Sequence, residues 1–199
     1  AALIIRSATR VTAEVLDAVD GLLVVGRAGI GLDNVDVRAA TRNGVMVVNA
    51  PLSNSVSAAE HTMALLLAQA RNIPQAHADL VAGRWNRSQW AGVELADKTL
   101  GIIGLGRIGR MVAKRAAAFG MRCIAHDPFV AEESALRVGV EMRSLEDLMA
   151  ESDFVTLHLA RTPETIGLLD AEMLKRSKPG LRLVNVARGG IVDEEALAE

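Results

Sequence analysis

Gly104-Leu105-Gly106-Arg107-Ile108-Gly109 is the stretch of this 199-residue chain best suited to holding an anion. In such a turn the first glycine permits a tight reversal and the second leaves the backbone bare for a pyrophosphate. The third lets the following helix lie close to the preceding strand. Unpaired amides and the positive end of the helix dipole then face the ligand. The spacing alone recurs by chance, so its surroundings must qualify it. Asp127 stands eighteen residues past Gly109. A carboxylate there accepts hydrogen bonds from an adenosine ribose and repels a 2′-phosphate, which favours NAD over NADP. Pro128 holds Asp127 extended. A glycine-rich turn with an incidental Asp is the plain alternative, and the order strand, turn, helix, strand, acid weighs against it.

A second set of candidates is Arg6, Arg27, His158 and Arg188, each read as following an apolar strand. In an open α/β sheet, ligands sit outside the carboxyl ends of the strands. Any one of these residues is by default a solvated surface charge. Three arginines in equivalent places weaken that default, because guanidinium is always charged and its fork fits carboxylates and phosphates. Together they imply a small anionic substrate with two acidic groups. No metal-ligand spacing is read.

The elements that position these groups follow from hydrophobic periodicity. A strand over 99–103 leads into the glycine turn. A helix over 107–119 follows, with Ile108, Met111, Val112, Ala116 and Phe119 at helical spacing and Gly120 ending it. A strand over 122–125 carries Cys123, read as a small core residue. Ahead of this lie strands over 2–5, 22–25 and 45–48 and helices over 12–19 and 35–41, a βαβαβ pattern that implies a parallel sheet. Val15, Leu16 and Val19 are read as one helix face, and the strands, apolar throughout, are expected to be buried on both faces. Residues 49–54 form the domain boundary. A helix over 57–71 opens with a Ser57-x-x-Glu60 capping box and is apolar nearly all round, so it is expected to be buried. A helix over 73–82 follows, and Trp85 and Trp90 lie in a loop where aromatic packing is expected. Later elements are a helix over 144–149 opening with Ser144, a strand over 154–157 ending at His158, and a turn of helix from Thr162-Pro163-Glu164. A helix capped by Asp170 and a strand over 181–186 complete them.

Composition sets wide bounds. Half the residues are hydrophobic and the net charge is −2, so nothing points to a polyanionic partner such as nucleic acid. No apolar run approaches the roughly 20 residues of a membrane span. The single cysteine excludes an internal disulfide and, with no signal-peptide pattern in view, leads us to expect a cytoplasmic protein. The chain opens in a strand and closes in Asp193-Glu194-Glu195-Ala196-Leu197-Ala198-Glu199, read as a capped helix, so we expect it to be part of a longer protein.

Several blocks, taken together, resemble the NAD-dependent D-isomer-specific 2-hydroxyacid dehydrogenases over nearly the whole chain. They are Arg6-Ser7-Ala8-Thr9, the stretch from Gly26-Arg27-Ala28-Gly29 to Asp36, Asn49-Ala50-Pro51, the glycine turn, and Asn185-Val186-Ala187-Arg188-Gly189-Gly190-Ile191-Val192-Asp193-Glu194. The arginine blocks are more specific than the glycine motif. The resemblance implies an incomplete Rossmann-type doubly wound sheet over 51–199, preceded at 1–50 by part of a flavodoxin-like α/β substrate domain. It implies NAD-dependent oxidation of 3-phosphoglycerate to 3-phosphohydroxypyruvate in L-serine biosynthesis. Arg188 would hold the substrate carboxylate and polarise the C2 oxygen, with Arg6, Ser7, Arg27 and Asn54 lining the substrate site. Arg107, Ile108, Asp127, Val186 and Ala187 would join the three glycines in holding NAD, and helices within 57–82 would build a homodimer or homotetramer contact. His158 is expected to be structural or to line the cofactor. The family's general-acid/base His falls beyond Glu199, so this chain alone is expected to bind NAD weakly without turnover. Two competing readings are a hydroxypyruvate or glyoxylate reductase of the same family, against which Arg27 argues, and a non-catalytic NAD-sensing scaffold.

Overall fold

The computed structural model describes residues 1–198; Glu199, the last residue of the expected closing helix, lies outside the described residues. The chain divides into two compact units, Ala1–Ser55 and Val56–Glu199.

The first unit alternates strand and helix: β1 (Ala2–Ile5), α1 (Ala13–Asp17), β2 (Val24–Arg27), α2 (Val37–Arg42) and β3 (Met46–Asn49). The strands are parallel in the order β1-β2-β3. Asp36 caps α2, its carboxylate accepting from the Ala39 amide at 2.8 Å. One face of the sheet is covered: Ile5 and Val25 pack with Leu16 of α1 and Ala39 and Ala40 of α2. The opposite face is not, with Ile4 80%, Met46 64% and Val48 45% exposed. The expectation of strands buried on both faces therefore fails in this unit. α1 is also shorter than the reading over 12–19, and of its apolar residues Leu16 is buried while Val15 and Val19 stay exposed. β2 starts two residues later than read and takes in Arg27, because pairing with β1 continues to Ile5 opposite Arg27.

From α3 (Ser55–Ala70) and α4 (Ile73–Val81) the chain continues through β4 (Thr99–Ile103), α5 (Arg107–Ala118), β5 (Arg122–His126), α6 (Glu132–Leu136), β6 (Glu141–Met142) and α7 (Leu145–Glu151). β7 (Phe154–Leu157), α8 (Ala171–Leu174), β8 (Arg182–Asn185) and α9 (Glu194–Ala198) complete it. The five strands are parallel in the order β6-β5-β4-β7-β8. This is a doubly wound sheet whose order reverses between β4 and β7. Both faces are covered. Leu100 and Ile102 of β4 pack with Met63 and Leu66 of α3 and Val112 and Ala116 of α5. Ile103, with Val155 and Leu157 of β7, packs with Leu145, Leu148 and Met149 of α7. Each fully buried aliphatic side chain of this kind contributes about 1.5–3 kcal/mol.

Local departures have local causes. α3 begins at Ser55, which places Ser57 inside its first turn rather than at its cap. Ala59, Met63, Leu66 and Ala70 of α3 are buried, whereas Val56 and Leu65 are exposed, so its burial is one-sided and not all round. α6 and β6 have no counterpart in the sequence reading. The turn from Thr162 closes one helical hydrogen bond, Ile166 amide to Thr162 carbonyl at 3.1 Å, and does not extend into a helix. Ser144 and Asp170 cap α7 and α8 as read. In the loop after α4, Trp90 donates its indole N–H to Asp79 at 2.7 Å, while Trp85 stays 73% exposed rather than packed. Arg84 and Asn86 also donate to the Asp79 carboxylate, which these hydrogen bonds hold below its usual pKa. Arg122 and Arg143 each bond both Glu141 and Glu151, a ring of charges joining β5, β6 and α7.

Candidate functional site

β4 ends at Ile103 in the middle of its sheet, and the chain reverses there at Gly104, whose φ is +93°. A Cβ on Gly104 would lie 2.7 Å from the His158 carbonyl oxygen, so the turn fits against the end of β7 only because that atom is missing. Gly109 is tighter: a Cβ there would lie 2.2 Å from the Gly104 carbonyl oxygen, so its absence lets α5 pack onto the turn. Gly106 differs from both, since a Cβ on it would meet nothing within 4 Å. The second glycine thus leaves open backbone where the first and third relieve crowding.

Among the described residues no side chain caps α5 at Gly106. Its first-turn amides, those of Arg107, Ile108 and Gly109, accordingly lack acceptors within the helix. A bare glycine facing open space beside such amides fits a dinucleotide pyrophosphate. Arg107 is exposed, and Ile108 packs against the core below. Arg110 props the turn from behind: its Nε donates to the Leu105 carbonyl at 3.1 Å and its Nη2 to Ser134 Oγ at 3.0 Å.

Asp127 follows β5 directly. One of its oxygens accepts from the Leu105 amide at 2.8 Å and the other from the Phe129 amide at 2.9 Å. The carboxylate is therefore fastened to the glycine turn itself, at the carboxyl end of the neighbouring strand. His158 closes β7, its Nε2 lying 3.1 Å from Thr156 Oγ1. Burial pushes its pKa down to about 4, so the ring is neutral at pH 7.

After β8 the chain makes a turn organised by Asn185. Its Oδ1 accepts from the Ala187 amide at 3.0 Å and its Nδ2 donates to the Arg188 carbonyl at 2.9 Å. Val186 and Ala187 pack against the clusters on opposite faces of the sheet. Arg188 is half-buried and directs Nη1 to the Ala187 carbonyl at 2.8 Å. In the second unit the glycine turn, Asp127, His158 and the Val186-Ala187-Arg188 turn all stand at strand carboxyl ends, around the reversal in strand order.

In the first unit Arg6 and Ser7 follow β1 and are exposed, and Asn34 bonds the Arg6 carbonyl through Nδ2 at 2.9 Å. Arg27 is 8% exposed and donates through Nη2 to Ser7 Oγ at 3.1 Å. Its Nε is buried without an acceptor among the described residues. Asn54 lies in the turn immediately before α3.

Residues 63–199 match the family model described as D-isomer specific 2-hydroxyacid dehydrogenase, NAD binding domain. The chain belongs to that family. Curated relatives extend the likeness to the whole chain. It is 58% identical to D-3-phosphoglycerate dehydrogenase of Mycobacterium leprae and 50% identical to that of Archaeoglobus fulgidus, covering 100% of this chain in both cases. The chain spans 38% of the length of each of those relatives. Among solved structures, D-lactate dehydrogenase from Aquifex aeolicus complexed with NAD and lactic acid superposes with a TM-score of 0.92 at 31% identity, covering 98% of this chain and 59% of that one. A glyoxylate reductase from Paecilomyes thermophila gives 0.91 at 32% identity, covering 98% and 61%. Three supports of the site have no role assigned from the sequence: Asn185, Arg110 and the Leu105 amide. An Asn closing a strand ahead of a turn is a signal for the first of them.

Proposed function

We propose that this chain is the NAD-binding part, with a portion of the substrate-binding part, of a dehydrogenase that oxidises 3-phosphoglycerate to 3-phosphohydroxypyruvate in L-serine biosynthesis. The observation that carries the reading is Arg27: a nearly buried guanidinium at a strand end, anchored to Ser7. A substrate with a phosphate as well as a carboxylate has use for such a fork, and a glyoxylate-sized one does not. Relatives sharing half or more of the sequence are named for phosphoglycerate, whereas the glyoxylate reductase shares 32%.

When bound, NAD supplies the hydride acceptor. Across the turn of Gly104 and Gly106, the amides of Arg107, Ile108 and Gly109 hold its pyrophosphate, Asp127 its ribose, and Val186 and Ala187 border it. Arg188 binds the substrate carboxylate and stabilises negative charge on the C2 oxygen. Arg6, Ser7, Arg27 and Asn54 take up the remaining acidic group. The exposed apolar residues Val56, Leu65, Leu80 and Val81 on α3 and α4 support a homo-oligomer built on these helices. The proposed compartment is the cytoplasm.

The complete dehydrogenase decides between the readings when rates on 3-phosphoglycerate and D-glycerate are compared with NAD. A kcat/KM about 10- to 100-fold higher for the phosphorylated substrate is expected, since a charged hydrogen-bonding partner is worth roughly 1.5–3 kcal/mol. Equal rates would remove the phosphate from the reading and leave the hydroxypyruvate or glyoxylate reductase. No turnover of either, with NAD still bound, would favour the NAD-sensing scaffold.

A further inference from the structure

We infer that Gly29 is a positioning residue for the phosphate end of the substrate, acting through Arg27: the space its missing side chain leaves is the space the guanidinium occupies. This rests on the phosphoglycerate reading above.

The geometry is local to the first unit. A Cβ built on Gly29 would lie 1.5 Å from Arg27 Nη1 and 2.7 Å from its Cζ, deep inside the van der Waals surface of both. The far end of the Arg27 side chain is the partner that would give way, and the Gly29 φ of +157° adds backbone strain to any side chain placed there. The Gly29 backbone is held on both sides, its amide donating to the Arg27 carbonyl at 2.9 Å and its carbonyl accepting from the Ala50 amide at 3.0 Å. Arg27 is held at the opposite end of its fork by Ser7 Oγ. The Arg27 side chain therefore folds back over the chain two residues ahead of it, with Ser7 as its stop and Gly29 as its bed.

Arg27 Nε is shut away from solvent without an acceptor among the described residues, so it is the Nη end of the fork that can meet a ligand. A guanidinium held in one pose at that end matches an oxyanion with several acceptor oxygens, which a phosphate is. Any side chain at 29 would push the fork from that pose while leaving its charge in place. Position 29 should accordingly govern discrimination between phosphorylated and unphosphorylated hydroxy acids more than turnover.

The test uses the complete enzyme with 3-phosphoglycerate and D-glycerate as parallel substrates. Gly29→Ala is expected to raise KM for 3-phosphoglycerate by about 10- to 100-fold with kcat changed little, the range expected for lost charged hydrogen bonds. Its kcat/KM for D-glycerate and its NAD affinity should stay within about twofold. Because the effect passes through the guanidinium, Gly29→Ala in an Arg27→Met background should add no further rise in KM. If Gly29→Ala does not fold, folding is expected to return in the Arg27→Met background, where the crowded guanidinium is gone; failure to fold in both backgrounds would overturn the role of Gly29. Equal losses on both substrates, or a further loss in the Arg27→Met background, would overturn the role of Gly29 and leave the phosphoglycerate reading standing. A wild-type enzyme without preference for 3-phosphoglycerate would overturn that reading, and this inference with it.

Discussion

β4 has every residue buried, whereas β3, an equally apolar stretch, has none fully buried. Both are parallel strands of α/β units, and both read as continuous hydrophobic runs. The difference lies in what packs above and below. β4 lies between α3 and α5 on one side and α7 on the other. The first sheet has α1 and α2 on one face, and Ile4, Met46 and Val48 face outward on the other. An apolar run therefore reports that a strand can be buried on two faces, not that it is.

The glycines at the middle of each sheet test this contrast most sharply. In β4, a Cβ on Gly101 would lie 2.3 Å from Ser152 Oγ and 2.6 Å from Leu148 Cδ2. Gly101→Ala should destabilise the second unit toward the upper end of the usual 1–3 kcal/mol for overpacking, read from urea unfolding. A change below about 0.5 kcal/mol would mean that the covered sheet is more yielding than its packing suggests.

His158 gives the next effect. Its folded-state pKa, about 4, lies below the ordinary 6.5, so the unfolded chain takes up the proton first as pH falls. The stabilisation is complete above pH 6.5, declines as pH drops toward 4, and levels off below that. At 1.36 kcal/mol per pKa unit its ceiling is about 3 kcal/mol, and roughly half of that is expected for a side chain not wholly buried. His158→Gln should flatten the dependence of unfolding free energy on pH across this window; an unchanged slope would show that the ring is hydrated.

Gly26 in β2 is the counterpart of Gly101, yet a Cβ there would meet Ile4 Cγ1 and Val48 Cγ2 at 3.8 Å, an ordinary contact. Gly26→Ala should be neutral or stabilise by about 0.5–1 kcal/mol, since glycine in a strand is entropically costly. Destabilisation would reveal something lying on that face. The smallest effect belongs to the charge ring. Hydrogen bonds from Arg122, then Arg143, hold Glu141 down to about 2. Its contribution is present above the ordinary 4.5 and lost as pH falls through 2. The pairs are solvent-exposed, so Glu141→Gln should lower the melting temperature only slightly, and 1 M salt should erase the difference.

Much of the second unit was legible because each signal there had one physical meaning. The glycine turn, the Ser144 and Asp170 caps and Gly120 at the end of α5 mark backbone geometries that few residues satisfy. α6 and β6 escaped because five and two residues are too short to show a period, although Gly139 with φ +72° sits between them as a turn. The arginines were legible as strand-end cations, but the fastening of Arg27 was not: Ser7 and Gly29 lie on either side of it in the chain, and only the fold sets both against one guanidinium.

The grip of Asp127 on the Leu105 amide carries a lesson for protein engineers. The group proposed to choose between coenzymes is also the latch of the loop proposed to receive them. Swapping it for a neutral residue to admit the phosphorylated coenzyme would unfasten the receptor in the same stroke. A successful redesign must therefore bring a replacement acceptor for that N–H along with any new cation.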